Sequence, residues 1–477
     1  MINDNELFDT PEFKSDLKKY EDAQKAGQSI YLDVDQFYDI ADFYQWNDKI
    51  GKAYKAIDEG LFFFPDSVTL WVLKAKYTYL YDKDIKKANL ILSHITDISD
   101  IEYILMKGEL LLAENKIKAA EKLFKQSFNS LYKDVQEDFI ESIIELYTFY
   151  NFYDEAQLWF NKIKKADAPY YKEMQGKIFM GKGNLKESEA IFKELLDENP
   201  YSSDYWNEMA ALQLQQNNYS DVIISCDFAL AINPNDSEAI IQKANALTAL
   251  GNNEEAIKLF DKYIALKPNE ALVELLKSMA YSHMNKLKDA LISLKQAEKK
   301  SKNESSELTL IYYEMAFAYS RLGNLPKALD CIKKRSKISK DNPIENSLLK
   351  GHIYLKHNKV EEATICFFSA IQLSNEDAST YHLIALIAFD CDYLELAYDM
   401  FEIYYDVIDK NVAENYSIYA FCCKELHKDD KYIDAVEMAC KKEPEDTKDL
   451  LGEYFPIDLP VEQYAAYLRS QKNTIEI

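Results

Sequence analysis

The chain has 477 residues, of which 48% are hydrophobic and 29% charged, and its formal net charge at pH 7 is −25. This apolar fraction excludes a chain that is disordered by composition. The negative charge argues against a nucleic-acid partner, and so does the scarcity of arginine forks, which are limited to Arg321, Arg335 and Arg469. With only 11 glycines and 11 prolines, the composition favours helices joined by short turns.

The seven cysteines include no C-x-x-C pair, and their odd number in a long chain predicts reduced thiols, most of them small core residues. No apolar signal segment opens the sequence, and no run of 18 apolar residues occurs, so neither secretion nor a membrane span is expected. These features predict a cytoplasmic protein without a membrane partner.

The first predicted element is a polar helix near the N terminus. Thr10 followed by Pro11 is a favourable N-cap and first-turn pair, and the helix is expected to run to about Ala26. Residues 1–33 are therefore predicted to form an N-terminal capping helix and a lead-in.

From residue 34 the sequence repeats with a period of about 34 residues. One column of the repeat is almost entirely Gly, Asn or Asp, which best tolerate the left-handed conformation that closes a helix C terminus. This turn column is Asp48, Asp82, Asn115, Asn151, Gly183, Asn217, Gly251, Asn285, Gly323, Asn358, Asp392 and His427.

Two further columns accompany the turns. Seven residues before each turn the side chain is small except at Ile144, as expected where two helices cross closely. Five residues after the turn most units have alanine, and a large apolar residue such as Phe124 or Phe260 often follows four positions later. Ala88 joins the alanine column if one residue is inserted in its turn.

The repeat pattern ends after Glu445. Residues 447–477 are predicted to form C-terminal capping helices, with Phe455 and Tyr464 covering the last repeat.

Two helices of about a dozen residues, joined by a tight turn and repeated about every 34 residues, resemble the tetratricopeptide repeat. Residues 206–234, WNEMAALQLQQNNYSDVIISCDFALAINP, have much of that family's small–aromatic–alanine–aromatic–proline signature. About twelve units cover residues 34–446, and the chain is similar to cytoplasmic tetratricopeptide proteins of bacteria. The resemblance implies an all-α, right-handed superhelical solenoid of about twelve helix-turn-helix repeats with helical caps. Each unit would bury its apolar face against its neighbours.

No motif for catalysis is visible. The sequence has no phosphate-binding loop, no H-E-x-x-H and no G-x-S-x-G, and His352 and His357 are spaced poorly for a shared metal. Repeats account for almost the whole chain, so we expect no enzyme activity, no cofactor and no metal site.

The most basic stretch is 286–340, with 13 lysines and arginines against 6 acids. It includes KKRSK at residues 333–337, at the end of a second helix. Lysines at that place suit the helix dipole and a solvated convex face. The alternative is a docking patch for an acidic partner.

In tetratricopeptide arrays the first helix of each unit lines the concave surface, and the resemblance carries the ligand-facing positions onto this chain. The N-terminal half of the groove is then acidic, although Lys76 and Lys177 interrupt it, and the C-terminal half is apolar and aromatic. The alternative reading of the acids is that they only keep the surface soluble. The predicted contact residues are Tyr38, Asp42, Glu109, Glu145, Glu173, Asn207, Tyr313, Phe317, Arg321, His352, His382, Phe389 and Phe421.

The leading hypothesis is a non-enzymatic scaffold that binds a protein or peptide in the concave groove, with basic groups meeting the acidic half and an apolar anchor meeting the aromatic half. The alternative is a regulatory subunit that controls a catalytic or transcriptional partner. The lysines and asparagines with which chaperone-binding members of the family clamp acidic peptide ends are missing at the matching positions, which hold Tyr38, Asp42 and Val72.

Overall fold

Helices are the regular structure throughout the part of the chain that the computed structural model describes, which is residues 4–47, 49–164, 167–301, 306–338, 342–409 and 412–475. These ranges contain 28 α-helices, one π-helical turn and two short 3-10 turns. The all-α prediction is confirmed. Two compact units divide the chain, Met1–Asn217 and Asn218–Ile477.

The first unit begins with two N-terminal helices and continues with helix pairs, in which each odd-numbered helix from α3 onward is the first of its pair. Successive first helices contact one another from α3 to α11. The helices are α1 (Asp4–Asp9), α2 (Pro11–Lys25), α3 (Val34–Trp46), α4 (Ile50–Phe63), α5 (Val68–Tyr77), α6 (Ile85–Leu92), α7 (Ile101–Ala113), α8 (Ile117–Ser130), α9 (Gln136–Phe149), α10 (Tyr153–Phe160), α11 (Pro169–Gly181), α12 (Leu185–Glu198) and α13 (Ser203–Gln215).

The second unit continues the alternation and ends with two further helices. Its pairs run from α15 to α26, and first helices α17, α19, α21 and α23 contact one another in order. The helices are α14 (Tyr219–Ile232), α15 (Ser237–Ala249), α16 (Asn253–Leu266), α17 (Ala271–His283), α18 (Leu287–Lys300), α19 (Ser306–Arg321), α20 (Leu325–Ile338), α21 (Pro343–Lys356), α22 (Val360–Leu373), α23 (Ala378–Asp390), α24 (Leu394–Val407), α25 (Tyr416–Glu425), α26 (Asp429–Lys442), α27 (Pro444–Leu451) and α28 (Tyr464–Ile475).

The turn column predicted from the sequence adopts the left-handed conformation. Every member from Asn115 to His427 has a positive φ, for example +57° at Asn115 and +80° at Gly251. Asp48 lies outside the described residues. At the second turn the left-handed residue is Lys83, with φ of +55°, and not Asp82.

The second turn has one extra residue. A π-helical turn at Thr78–Asp82 follows α5 and accommodates that residue, since a π-helix closes its hydrogen bonds one residue later than an α-helix. Lys83 then lies five residues before Ala88, which is fully buried. The insertion expected from the alanine column is thereby confirmed.

The small and alanine columns lie at the helix crossings. Ala244 and Ala256 are fully buried, as are the other alanines of both columns. Where the small residue is glycine, the ring of the same unit fills the space of the missing side chain: a Cβ at Gly176 would lie 2.8 Å from Cε2 of Phe192. At Gly108 a Cβ would overlap the ring of Phe124. These crossings admit no larger side chain.

Valine in place of Gly251 is expected to destabilise the second unit, because a β-branched residue at a φ of +80° is strained whatever the space around it. Asparagine at the same position, the residue that other turns of this chain use, should cost far less. Thermal melts of the two variants test this, and equal melting temperatures for the valine variant and the parent would disprove the turn assignment.

Helices also occupy both ends of the chain. Pro11 is the first residue of α2, and the Thr10 hydroxyl accepts a hydrogen bond from the backbone N–H of Phe13, as the N-cap prediction requires. Near the C terminus the rings of Phe455 and Tyr464 stack at 3.8 Å and belong to the buried cluster that includes Val436 of α26. The capping role of residues 1–33 and 447–477 stays a prediction.

All seven cysteines are free thiols, and six are buried while Cys391 is partly exposed. Burial raises the pKa of each, to about 12 for Cys422 and Cys423 and to about 11 for Cys331. The prediction that most cysteines are core residues is confirmed, and their reduced state stays a prediction. No helix in the described part of the chain is both long and apolar enough to cross a membrane.

Candidate functional site

The first unit has a groove of about 840 Å³ over the first helices α3, α5, α7 and α9. Each helix contributes side chains spaced three or four residues apart, which is one face of a helix. We call this cavity the N-terminal groove. It is lined by Asp35, Tyr38, Thr69, Val72, Leu73, Lys76, Leu80, Glu102, Leu105, Met106, Glu109, Ser142, Glu145, Leu146 and Phe149.

The N-terminal groove combines an apolar floor with acidic walls. Four carboxylates line it against one ammonium group, that of Lys76. The apolar part comes from all four helices and includes Val72, Leu105 and Leu146. This combination favours a ligand with both apolar and cationic groups.

Glu109 lies deepest among the groove acids. Burial raises the pKa of its carboxyl group, while the charge of Lys76 and a hydrogen bond from Tyr150 act in the opposite direction. The Tyr150 hydroxyl also lies 2.9 Å from the hydroxyl of Tyr79. These polar groups fix the position of Glu109 before any ligand arrives.

A smaller cavity of about 360 Å³ adjoins the groove between α9 and α11 and shares Glu145 and Phe149 with it. Phe149 is 74% exposed and so stands between the two cavities as an unburied ring. In the smaller cavity Lys177 Nζ is held by Glu173 at 2.7 Å and Glu208 at 2.9 Å. Burial lowers the pKa of Lys177, but the two carboxylates raise it by more. The ammonium group therefore stays charged, and the carboxylates balance its charge.

Most predicted contacts of the N-terminal half lie at these cavities. Tyr38, Glu109 and Glu145 line the groove, and Glu173 lines the smaller cavity. Asp42 lies beside them and accepts a hydrogen bond of 3.2 Å from the Tyr77 hydroxyl.

Asn207 is the exception in this half. Its side chain is only 3% exposed, because its position on α13 faces the interior of the helix stack. The sequence-based assignment of Asn207 to the ligand surface is therefore not supported by its placement.

The predicted aromatic residues of the second unit are half-buried and contact one another across first helices. Tyr313 and Phe317 of α19 have ring centroids 5.0 Å apart, and Phe317 lies 5.0 Å from the ring of His352 on α21. Phe389 and Phe421 form a second such pair at 5.7 Å. These rings bridge neighbouring repeats, so they contribute to packing as well as to the surface.

The other two predicted residues of this half have structural partners. The guanidinium of Arg321 donates to Asn285 Oδ1 at 3.0 Å, in the turn of the preceding repeat. The ring of His382 stacks on Tyr404 at 4.6 Å, and its Nε2 lies 2.6 Å from Asn415 Oδ1. Both side chains form contacts between neighbouring repeats. These contacts could not be predicted from the position of each residue in its repeat.

One group of potential metal ligands, His352, Asp390 and Cys391, has its ligand atoms within 4.8 Å of one another. Asp390 Oδ2 is 2.9 Å from His352 Nε2 and also 2.9 Å from the ammonium of Lys356. A cation at this point would meet the Lys356 charge. The arrangement is therefore that of an ion-pair cluster between α21 and α23.

A titration effect is expected from Asp39 of α3. Burial and the charges of Asp35, Asp42 and Asp33 raise its pKa to about 6. The folded state therefore binds this proton more tightly than the unfolded chain, and the free energy of unfolding should fall as pH rises from about 4 to about 6. Because the side chain is partly exposed, solvent screening limits the effect to about 1 kcal/mol.

The change D39N should remove that fall and stabilise the first unit at pH 7. Urea unfolding followed by tryptophan fluorescence at pH 4 and pH 7 measures it, and D66N removes an exposed loop charge as the control. Parallel pH profiles for D39N and the parent would contradict the raised pKa.

Phe149 is an exposed aromatic residue of the groove that the sequence-based prediction missed. It follows Glu145 by four residues on the same helix, so the face that carries the predicted acid also carries the ring. Extending the ligand-facing stripe by one turn would have found it.

One known family model matches some of these helix pairs. Residues 225–280 match the family model of the tetratricopeptide repeat. The chain therefore contains tetratricopeptide repeats. Such repeats generally mediate binding to proteins or peptides, and the proteins that contain them are usually not catalysts.

One curated protein resembles part of this chain at low identity. A DnaJ homolog subfamily C member 7 homolog of Dictyostelium discoideum is 24% identical over 225 residues, which are 46% of this chain and 38% of that protein. This chain thus matches well under half of its relative's length.

Solved structures that match part of this chain include two bacterial proteins. A tetratricopeptide repeat protein of Parabacteroides merdae is 16% identical, with a TM-score of 0.43, and the match covers 55% of this chain and 97% of that one. A tetratricopeptide repeat protein of Thermus thermophilus is 18% identical, with a TM-score of 0.32, and the match covers 39% of this chain and 100% of that one.

Proposed function

We propose that this tetratricopeptide repeat protein is a non-enzymatic scaffold that holds a segment of a partner protein in the N-terminal groove. The observation that carries the proposal is the exposed ring of Phe149 at the edge of an apolar groove with acidic walls. Exposed large apolar residues grouped in a cavity mark binding sites more often than chance surface exposure does.

The dimensions favour an extended segment. Neighbouring first helices lie roughly 8–10 Å apart, so a groove over four of them is roughly 30 Å long. A fully extended chain covers that distance with about nine residues. The partner segment would place an apolar side chain against Phe149 and the floor, and lysine or arginine side chains near Glu109 and Glu145.

Affinity purification with the full chain as bait tests the proposal. The bait variant E109Q/E145Q should recover less of the partner than the parent does, and raising the salt concentration should reduce recovery by the parent more than by the variant, since the groove charges act over distance. The control variant E255Q/E361Q removes two exposed acids on the second helices α16 and α22 and should behave like the parent.

Quantitative mass spectrometry measures the recovered proteins. A partner whose recovery drops equally with the groove variant and the control variant would contradict binding in the groove. A partner that is retained in full by E109Q/E145Q at every salt concentration would do so as well.

A further inference from the structure

The second unit has a cleft whose lining includes none of the predicted ligand-facing residues. It has a volume of about 550 Å³ and lies between α20, α21 and α22. We call it the outer cleft. Its apolar surface includes Leu329, Ile332 and Ile365, and its charged side chains are Lys333 and Lys350.

The charge of the outer cleft is opposite to that of the whole chain. Among the residues that the structure describes, no carboxylate lines it, although the chain has a net charge of −25. Neither Lys333 nor Lys350 takes part in an ion pair with any residue that the structure describes, whereas neighbouring Lys334 lies 3.7 Å from Glu298. Lys350 Nζ lies 5.7 Å from the centroid of the Tyr354 ring, a cation–π contact that leaves the positive charge of the cleft uncancelled.

The lysine-rich run of residues 333–337 is not uniform. Arg335 is only 3% exposed, and its guanidinium pairs with Glu345 at 2.7 Å and bonds to Asn346. This buried contact joins α20 to α21 beneath the cleft and fixes the spacing of the two helices. Both readings of the sequence, a solvated face or a patch, treated this arginine as a surface charge.

Apolar side chains continue from the cleft onto its rim. Ile365 is 69% exposed, and Phe368, three residues further along α22, is 60% exposed. A surface with exposed apolar side chains beside lysines that have no acidic partner among the described residues is complementary to an amphipathic segment whose polar residues are acidic.

We propose that the outer cleft docks an acidic amphipathic segment of another protein, with glutamate or aspartate near Lys333 and Lys350 and an apolar residue against Ile365 and Phe368. The charge of the cleft supports this partner over the basic segment proposed for the N-terminal groove. The proposal does not depend on that groove, since its residues all belong to α20–α22.

The test uses the full chain and two short synthetic amphipathic peptides with the same leucine pattern, one with glutamate and one with glutamine at the polar positions. Fluorescence anisotropy should show tighter binding of the glutamate peptide. In K333E/K350E this preference should fall about tenfold or more, because two attractions become repulsions. K258E/K288E, on the outer faces of α16 and α18, changes the net charge by the same amount and should keep the preference.

Each other outcome would overturn the proposal. Equal binding of the two peptides to the parent chain rejects charge recognition without any variant, even where K333E/K350E fails to fold. Equal losses in both charge-reversal variants would show general electrostatic attraction. Self-association of the parent, detected by sedimentation and abolished by K333E/K350E, would identify a second copy of this chain as the occupant.

Discussion

Leucine in place of Gly108 is expected to produce the largest loss of stability in this chain. A Cβ at Gly108 already overlaps the ring of Phe124, and that ring is fully buried. It is enclosed by Tyr147 at 5.8 Å and Trp159 at 6.4 Å, so it has no space into which to move. Overpacking of this kind usually costs about 1–3 kcal/mol, and we expect about 3 kcal/mol or more here.

Urea unfolding followed by tryptophan fluorescence measures the loss, since Trp159 lies in the same cluster. Gly51 gives the matched control, because nothing lies within 4 Å of a Cβ built there and its position is helical. G51A should be neutral or slightly stabilising. A G108L variant that unfolds at the same urea concentration as the parent would show that the helix crossing is not as tight as described.

Alanine in place of Phe149 is expected to have the largest effect on partner binding. The ring is exposed in the free chain and would be buried by a segment in the N-terminal groove, and such aromatic anchors contribute about 2 kcal/mol or more. That corresponds to roughly a thirtyfold loss of affinity. The loss should appear mainly as faster dissociation, whereas E109Q/E145Q should act on association and its salt dependence.

Phe62 offers a control of the same residue type and nearly the same exposure, 76% against 74%, on the second helix α4. F62A should leave the binding kinetics of the partner unchanged in surface plasmon resonance. If F62A and F149A slow or speed dissociation alike, the groove is not the contact surface. A large drop in melting temperature for F149A would instead assign the ring to the fold.

The repeat architecture could be predicted from the sequence because it depends on local rules. A left-handed turn needs Gly, Asn or a similar residue, and a helix crossing needs a small one. The geometry of each unit can therefore be predicted from the residues of that unit alone. The twelfth turn shows the strength of this rule, since His427 was predicted from its register alone and has a φ of +55°.

The site was predicted less completely, because side-chain contacts between repeats are not local. Asn207 was assigned to the groove by its register and is buried, and Arg321 was assigned to it and bonds to the preceding turn. The exposed ring of Phe149 was not predicted, since an apolar residue at the end of a first helix is more often buried. The burial of a side chain depends on the repeats packed against it, and the sequence of one repeat does not contain that information.

The distribution of two residue types gives each unit its own spectroscopic and chemical label. All four tryptophans, Trp46, Trp71, Trp159 and Trp206, precede residue 218, and all seven cysteines follow it. Tryptophan fluorescence therefore reports only on the first unit, while alkylation of the six buried, poorly ionised thiols reports only on opening of the second. The unmodified chain can thus reveal whether its two halves unfold together or one at a time, with no introduced probe.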